Sequence, residues 1–195
     1  TSDSIRCVYD ESGYYVLNSI LVFKKNSERY SYKYIAAVLN STLTDYLYKK
    51  LTQEEGRTFA EVKPANVRKL YIPKATREEQ DLLSILYDYL VFLKNPNQTD
   101  SFVSLNSMFI DLFEKIIDGC VYELLFREHM KEREIDIMSY LYQQIKPIEG
   151  LSDQDKNNII ISVHSNIFMT DNPARARLKL FVSRSPEYLK PIIQH

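Results

Sequence analysis

Residues 14–24 read YYVLNSILVFK, and the fold class turns on this stretch. Tyr, Val, Ile and Phe dominate it, and such side chains pack better on a pleated surface than around a helix. In an extended chain Tyr15, Leu17, Ser19, Leu21 and Phe23 fall on one face, as in a half-buried strand. A second β-rich run, Ser4 to Asp10, precedes it, and Asp10-Glu11-Ser12-Gly13 lies between. Two such runs around a Gly-containing turn predict a β-hairpin.

From Ser31 the period lengthens. Tyr32, Ile35, Ala36, Leu39, Leu43, Tyr46 and Leu47 recur at helical spacing, which predicts one amphipathic helix ending near Leu51. Thr52 to Gly56 is a polar break. Arg57 to Ala75 lacks helical periodicity and carries Pro64 and Pro73, so two short extended pieces joined by a turn at Pro64-Ala65-Asn66 are expected. Thr76-Arg77-Glu78-Glu79 is a capping box that opens another helix, whose stripe includes Leu82, Leu83, Leu86, Tyr89, Leu90 and Leu93. The polar stretch Asn95 to Asp100 then offers the best domain boundary.

Beyond it the chain reads as helices. Phe102 to Phe126 has a broad apolar face with Gly119 as a soft spot, and a charged stretch from Arg127 precedes a short helix bearing Ile137, Met138 and Leu141. Ser152 opens a further helix, and Asn172-Pro173 and Ser185-Pro186 each read as an N-cap followed by proline. The expected architecture is therefore α+β: a small N-terminal α/β domain over residues 1–95 and an all-helical unit over 101–195.

Composition bounds the function. Of 195 residues 45% are hydrophobic and 26% charged, which excludes wholesale disorder. There is no run of eighteen apolar residues, so no membrane span is expected. The net charge of −1 argues at first against a dedicated nucleic-acid binder. Its layout argues otherwise. Residues 20–74 hold eleven Lys/Arg against five Asp/Glu, whereas residues 76–195 hold thirteen against eighteen. A basic front precedes an acidic rear.

Catalytic signatures are scarce. The four glycines, at 13, 56, 119 and 150, are too dispersed for a phosphate cradle. Cys7 and Cys120 form no zinc or disulfide pattern, and free thiols point to the cytoplasm. His164, beside apolar neighbours, reads as structural, and His129 reads as solvated. Glu61-Val62-Lys63 is the one E-x-K tripeptide, half of a nuclease core in which a glutamate would hold Mg²⁺. The second carboxylate such a core needs is missing. Fifteen tyrosines are better explained by core packing than by stacking on bases.

Several pieces in order carry a resemblance: Tyr14 to Ser19, Tyr34 to Ser41, Phe59 to Lys63, Leu70-Tyr71-Ile72-Pro73 and Arg77-Glu78-Glu79-Gln80. Together they resemble the TaqI-like C-terminal specificity domain of adenine-N6 DNA methyltransferases and type II restriction–modification enzymes. Gly119 to Phe126 is similar to the helical extension that follows this domain. The resemblance implies a module that grips double-stranded DNA and reads its sequence, with no catalytic, cofactor-binding or metal-binding residue of its own. An upstream methyltransferase domain of the same chain would bind S-adenosylmethionine, with Mg²⁺ needed if the parent also cleaves. The N/D-P-P-Y/F motif of that domain is absent, since Asn97 follows Asn95-Pro96 and Ala174 follows Asn172-Pro173. The chain is thus expected to be a fragment of such an enzyme.

Lys and Arg of the basic front would neutralise phosphates while polar side chains reach base edges. The candidates are Lys24, Lys25 and Arg29 at a strand end, then Arg57, Lys63, Asn66, Arg68 and Lys69 around the Pro64 turn. Arg57, Asn66 and Arg68 have the chemistry for base contacts. The alternative from a different class is a subunit-docking module that uses the acidic rear and the Leu82–Leu93 stripe.

Overall fold

The computed structural model describes residues 4–13, 15–17, 20–52, 62–95 and 103–194, with the side chains of 103–106 excepted. Its elements are α1 (Tyr32–Leu39), α2 (Thr42–Thr52), α3 (Pro64–Val67), α4 (Arg77–Leu93), α5 (Val103–Leu125), α6 (Arg127–Glu132), α7 (Met138–Leu141), α8 (Asp153–Phe168), α9 (Pro173–Arg184) and α10 (Leu189–Ile193). Among the described residues there is no strand, so the α+β expectation is corrected to an all-helical fold.

The hairpin fails for a physical reason. Its first half has no regular secondary structure, and helices take up its backbone groups. The Cys7 N–H donates to Asn40 Oδ1 at 2.9 Å, and Asn40 Nδ2 donates to the Cys7 carbonyl at 2.7 Å. Two residues on, the Tyr9 N–H donates to the Tyr87 hydroxyl at 2.8 Å. A carboxamide and a phenol thus stand where a partner strand would. The expected half-buried face is not buried either: Tyr15, Leu17, Leu21 and Phe23 are all exposed, and Ser19 lies outside the described residues.

The helix expected over 31–51 forms but divides in two. Ser31 caps α1 by accepting the Tyr34 N–H at 3.0 Å, a device worth about 1 kcal/mol. At the far end Asn40 Nδ2 bonds the Ala36 carbonyl, while the Ser41 and Thr44 hydroxyls both bond that of Val38. These side chains satisfy the last carbonyls of α1 and let the ladder end. Asp118 of α5 then restarts it as α2, accepting from both the N–H and the hydroxyl of Thr42. Burial pushes the Asp118 carboxyl up to about 6 against these bonds.

α4 begins with the expected capping box. The Thr76 N–H donates to Glu79 Oε2 at 2.7 Å, and the Glu79 N–H donates to Thr76 Oγ1 at 3.3 Å. Leu82, Leu83, Leu86 and Tyr89 are buried, so the stripe proposed for docking another subunit instead packs into the protein's own core. α1 lies on α4, with Ser31 Oγ and Ser84 Oγ 3.0 Å apart and Tyr34 donating to the Pro73 carbonyl at 2.7 Å.

α5 is the central element. Phe113 meets the edge of Tyr89 at 5.1 Å, and Glu123 caps α7 by accepting the N–H groups of Ile137 and Met138. Gly119 is no soft spot. A Cβ there would stand 2.6 Å from Ile137 Cδ1 and 2.9 Å from the Phe181 ring, so glycine allows the close approach. Tyr34 in α1 and Ile192 in α10 belong to the same hydrophobic core.

Ser152 and Asn172 cap α8 and α9 as expected. Ser185 does not open a helix: it closes α9, and Pro186 to Tyr188 form a turn before α10. The expected extended pieces around Pro64 are likewise corrected. Pro64 sits at the first position of α3, which its fixed φ favours, and residues 70–75 have no regular secondary structure before α4.

Candidate nucleic-acid interface

Among the expected cations, Lys24, Lys25 and Arg29 lie in the irregular segment that leads into α1. Gln80 of α4 fixes this segment, accepting the Ser31 N–H at 3.1 Å and donating to the Arg29 carbonyl at 3.2 Å. Lys25 is mostly buried and donates to Glu28 Oε2 at 2.7 Å and to the Tyr30 carbonyl at 3.2 Å. Its ammonium lies 4.8 Å from the Tyr32 ring centre, and the Arg29 guanidinium lies 5.2 Å from that of Tyr30. Lys24 is exposed.

The second group surrounds α3. Lys63 is its N-cap residue, and the Lys63 N–H donates to the Tyr48 hydroxyl at 3.0 Å. Val62, Val67 and Leu70 pack against a small core of Ile5, Leu39 and Tyr48, which anchors this turn to α1 and α2. Arg68 and Lys69 are exposed on the turn that follows α3, and Asn66 is half-buried within α3. The structure thus groups Lys63, Asn66, Arg68 and Lys69 on one small element. Arg57 and Glu61 lie outside the described residues.

Lys74 is exposed, but three other cations of the front are engaged. Lys33 pairs with Asp88 at 2.9 Å and Glu149 at 3.2 Å, and Lys49 pairs with Asp45 at 3.0 Å. Lys50 lies over the Tyr46 ring. The Lys25–Glu28 pair is of a different kind, because Glu28 is 91% exposed. Exposed pairs contribute at most about 1 kcal/mol, so a phosphate could replace that carboxylate at little cost.

A groove of about 630 Å³ opens between residues 5–8, the α1–α2 junction, α4 and α5. Its wall includes Asp45, Glu114 and Asp118, while Lys94 is engaged with Glu114 at 2.6 Å. With three carboxylates against Arg6 and Lys94 on its wall, the groove leans acidic and is a poor seat for a nucleic-acid backbone. None of the expected DNA-binding residues lines it.

The histidines are structural. His164 is buried between Phe109 and Phe168, its Nε2 lacks a hydrogen-bond partner, and burial lowers its proton affinity. His129 is not solvated as expected: Nε2 lies 2.8 Å from Ser185 Oγ, and its ring packs on Tyr188. Glu187 approaches that same nitrogen at 3.8 Å, so this trio lacks the opposed contacts of a catalytic relay. Among the described residues no three His, Cys, Asp or Glu side chains are grouped to hold a metal ion, and no helix is long and apolar enough to cross a membrane.

Sequence reading missed one arrangement. Tyr9 and Tyr32 stack at 5.0 Å with their planes only 8° apart, beside Lys25. Both residues are partly buried, and Tyr9 packs against the hydrophobic core. The basic-aromatic spacing from Lys24 to Lys33 was the available signal, but the contribution of Tyr9 depends on tertiary contact.

No curated protein and no solved structure matches the chain. Residues 1–72, which take in the segment before α1 and α1 to α3 and stop short of α4, match the family model of the TaqI-like C-terminal specificity domain.

Proposed function

We propose that this chain is the sequence-reading module of a bacterial restriction–modification enzyme and binds double-stranded DNA without catalysing a reaction itself. The match of residues 1–72 to a specificity domain carries this reading. The exposed Lys24, Arg68 and Lys69 in the same span support it, since such side chains release counterions from phosphates. Lys25, Arg29 and Lys63 would add phosphate contacts, while Asn66, Arg57 and Arg68 would reach base edges. Residues 101–195 would form a helical extension of the recognition domain.

Methyl transfer to adenine N6, and the S-adenosylmethionine it consumes, belong in this reading to an upstream domain of the parent chain, as would any Mg²⁺-dependent cleavage. Among the described residues, no glycine forms a cradle that fits that cofactor. Gly119 is packed against side chains, and Gly13 and Gly150 occupy isolated turns at positive φ. The working compartment in this reading is the cytoplasm.

Fluorescence anisotropy with a labelled duplex at low salt tests the proposal. Binding that weakens steeply with salt is expected, and fusion to the upstream domain should add sequence preference. No duplex binding by either form would refute it.

One observation favours a second reading, a protein-docking module. Val8, Tyr15, Leu17 and Val22 are 72%, 106%, 76% and 76% exposed, apolar side chains that a docking partner would cover. Light scattering on the eluting protein decides here, and a strict monomer that captures no partner counts against docking.

A further inference from the structure

We propose that Arg175 and Lys179 of α9 make a second contact to the phosphate backbone of duplex DNA, outside the span that matches the specificity domain. The inference rests on the nucleic-acid reading above, which gives the helical extension no DNA contact of its own.

The acidic balance of the rear hides this helix. α9 holds Arg175, Arg177, Lys179 and Arg184 and no acidic residue, whereas the rest of residues 76–195 holds nine Lys/Arg against eighteen Asp/Glu. Ion pairing sets two of these cations further apart. Of the six arginines in residues 76–195, four pair with carboxylates: Arg77 with Asp81, Arg127 with Glu79, Arg133 with Glu187 and Arg184 with Glu134. Aromatic rings hold the other two. The Arg175 guanidinium lies 4.4 Å from the centre of Phe168 and donates to the Phe168 carbonyl. That of Arg177 lies 4.2 Å from the centre of Tyr140 and donates to its hydroxyl at 2.8 Å. Such contacts orient a guanidinium without neutralising it. Arg177 Nε is shut off from water, so Arg177 serves the packing of α9 on α7.

Helix geometry leaves Arg175 and Lys179 for an outside partner. Ala174 and Phe181 are buried and turn one face of α9 to the core. Lys179 is exposed, as are the small residues Ala176 and Ser183, and Arg175 is partly buried beside Phe168. Arg175 and Lys179 stand one turn apart, their β-carbons about 6 Å from each other, a spacing that suits successive phosphates of one strand. Among the described residues no carboxylate pairs with either, Asp171 included. The helix also adjoins the basic front. α10, which exposes Lys190, packs against both α9 and α2, and α2 packs against α3, after which Arg68 and Lys69 are exposed. Cations of the recognition domain and of its extension thus stand on linked elements. An acidic protein would satisfy the same charges; the specificity-domain match of residues 1–72 is what favours phosphate.

The test follows binding of the intact chain to a labelled duplex several helical turns long, by anisotropy across a salt series. The double variant Arg175→Gln/Lys179→Gln should lower the slope of log affinity against log salt by about two and weaken binding about tenfold at low salt. Lys179→Glu, at an exposed side chain, should weaken binding by itself and leave the melting temperature unchanged. Lys115→Ala, at an exposed cation of α5, should change affinity less than about twofold. A double variant with the parent's slope and affinity overturns the second contact. An equal loss in Lys115→Ala also overturns it, because the response would then be to net charge alone. Poly-glutamate that binds the parent as tightly as the duplex, and is released by the double variant, would assign α9 to an acidic protein instead. In all three outcomes a reduced slope in Arg68→Ala/Lys69→Ala leaves the DNA-reading function standing. A parent that binds no duplex refutes that function and the α9 contact together.

Discussion

Leu82, Leu83 and Leu86 of α4 are shielded almost wholly from water, while Tyr15, Leu17 and Val22 of the N-terminal run, equally apolar, are exposed. The difference lies in how each backbone meets its hydrogen-bonding needs. A helix satisfies its interior groups by itself, so α4 can bury an apolar stripe against any complementary surface. A strand needs a neighbour. Residues 5–9 find substitutes in Asn40 and Tyr87, and Ile5 is accordingly buried. For residues 17–23, the described backbone bond is the Ile20 N–H to the Leu17 carbonyl, a turn rather than a ladder. Apolar content alone buries nothing until the backbone has partners.

The sharpest way to break this contrast is to empty the helical core. Phe113 is wholly buried and packs edge-on against Tyr89, so Phe113→Ala should cost about 3–5 kcal/mol in chemical denaturation. A loss under about 1 kcal/mol would mean that this core is not close-packed.

Removing the substitute strand partner should have a smaller and local effect. Asn40→Ala leaves the Cys7 N–H and carbonyl without their partners and should cost about 1–3 kcal/mol. Limited proteolysis should then cut among residues 4–30 well before it attacks α4 or α5. Equal protection of both regions would show that Asn40 does not tie the segment down.

A third measurement uses pH. Burial depresses the proton affinity of His164, so its folded form stays neutral where the unfolded chain has begun to bind a proton. As pH falls below 6.5, the ordinary value, the unfolded state gains protons first and stability drops. His164→Leu should flatten the stability profile in that window. Glu79 contributes lower on the scale. Burial would raise its carboxyl, but Arg127 at 2.8 Å and the Thr76 N–H outweigh that and hold it below its ordinary value. Its stabilisation is present above the ordinary carboxylate range and disappears as pH falls through the folded value. Glu79→Gln should remove that component and leave the step near neutrality.

The smallest effect sharpens the comparison from the other side. Leu17→Ser or Val22→Ser should change stability by no more than about 0.5 kcal/mol, because neither side chain is packed. A larger loss would mean that the run is covered in solution, which would strengthen the docking reading.

Helices with local signals were legible in the sequence. Thr76–Glu79, Ser152 and Asn172-Pro173 carry their caps within a few residues, and the stripe of α4 faces the core as its period requires. The candidate interface was legible as a set of residue types. Arg68 and Lys69 do reach solvent, whereas Lys33 and Lys49, counted in the same basic excess, are consumed by Asp88, Glu149 and Asp45. Charge counts cannot foresee such pairing, because two of these three partners come from distant elements.

By itself, then, the sequence determined the course of α4, α5 and α8, the caps at Thr76, Ser152 and Asn172, its basic front, and the specificity-domain likeness of its first part. Those properties rest on neighbours within one or two helical turns. Tertiary structure decided the rest: the break between α1 and α2, made by Asn40 and Asp118; the need for glycine at 119, made by Ile137 and Phe181; and the loss of the hairpin, whose backbone bonds went to Asn40 and Tyr87. In each case a deciding partner, such as Asp118 for the α1–α2 break, lies far along the chain or on another element, where no local pattern can point to it.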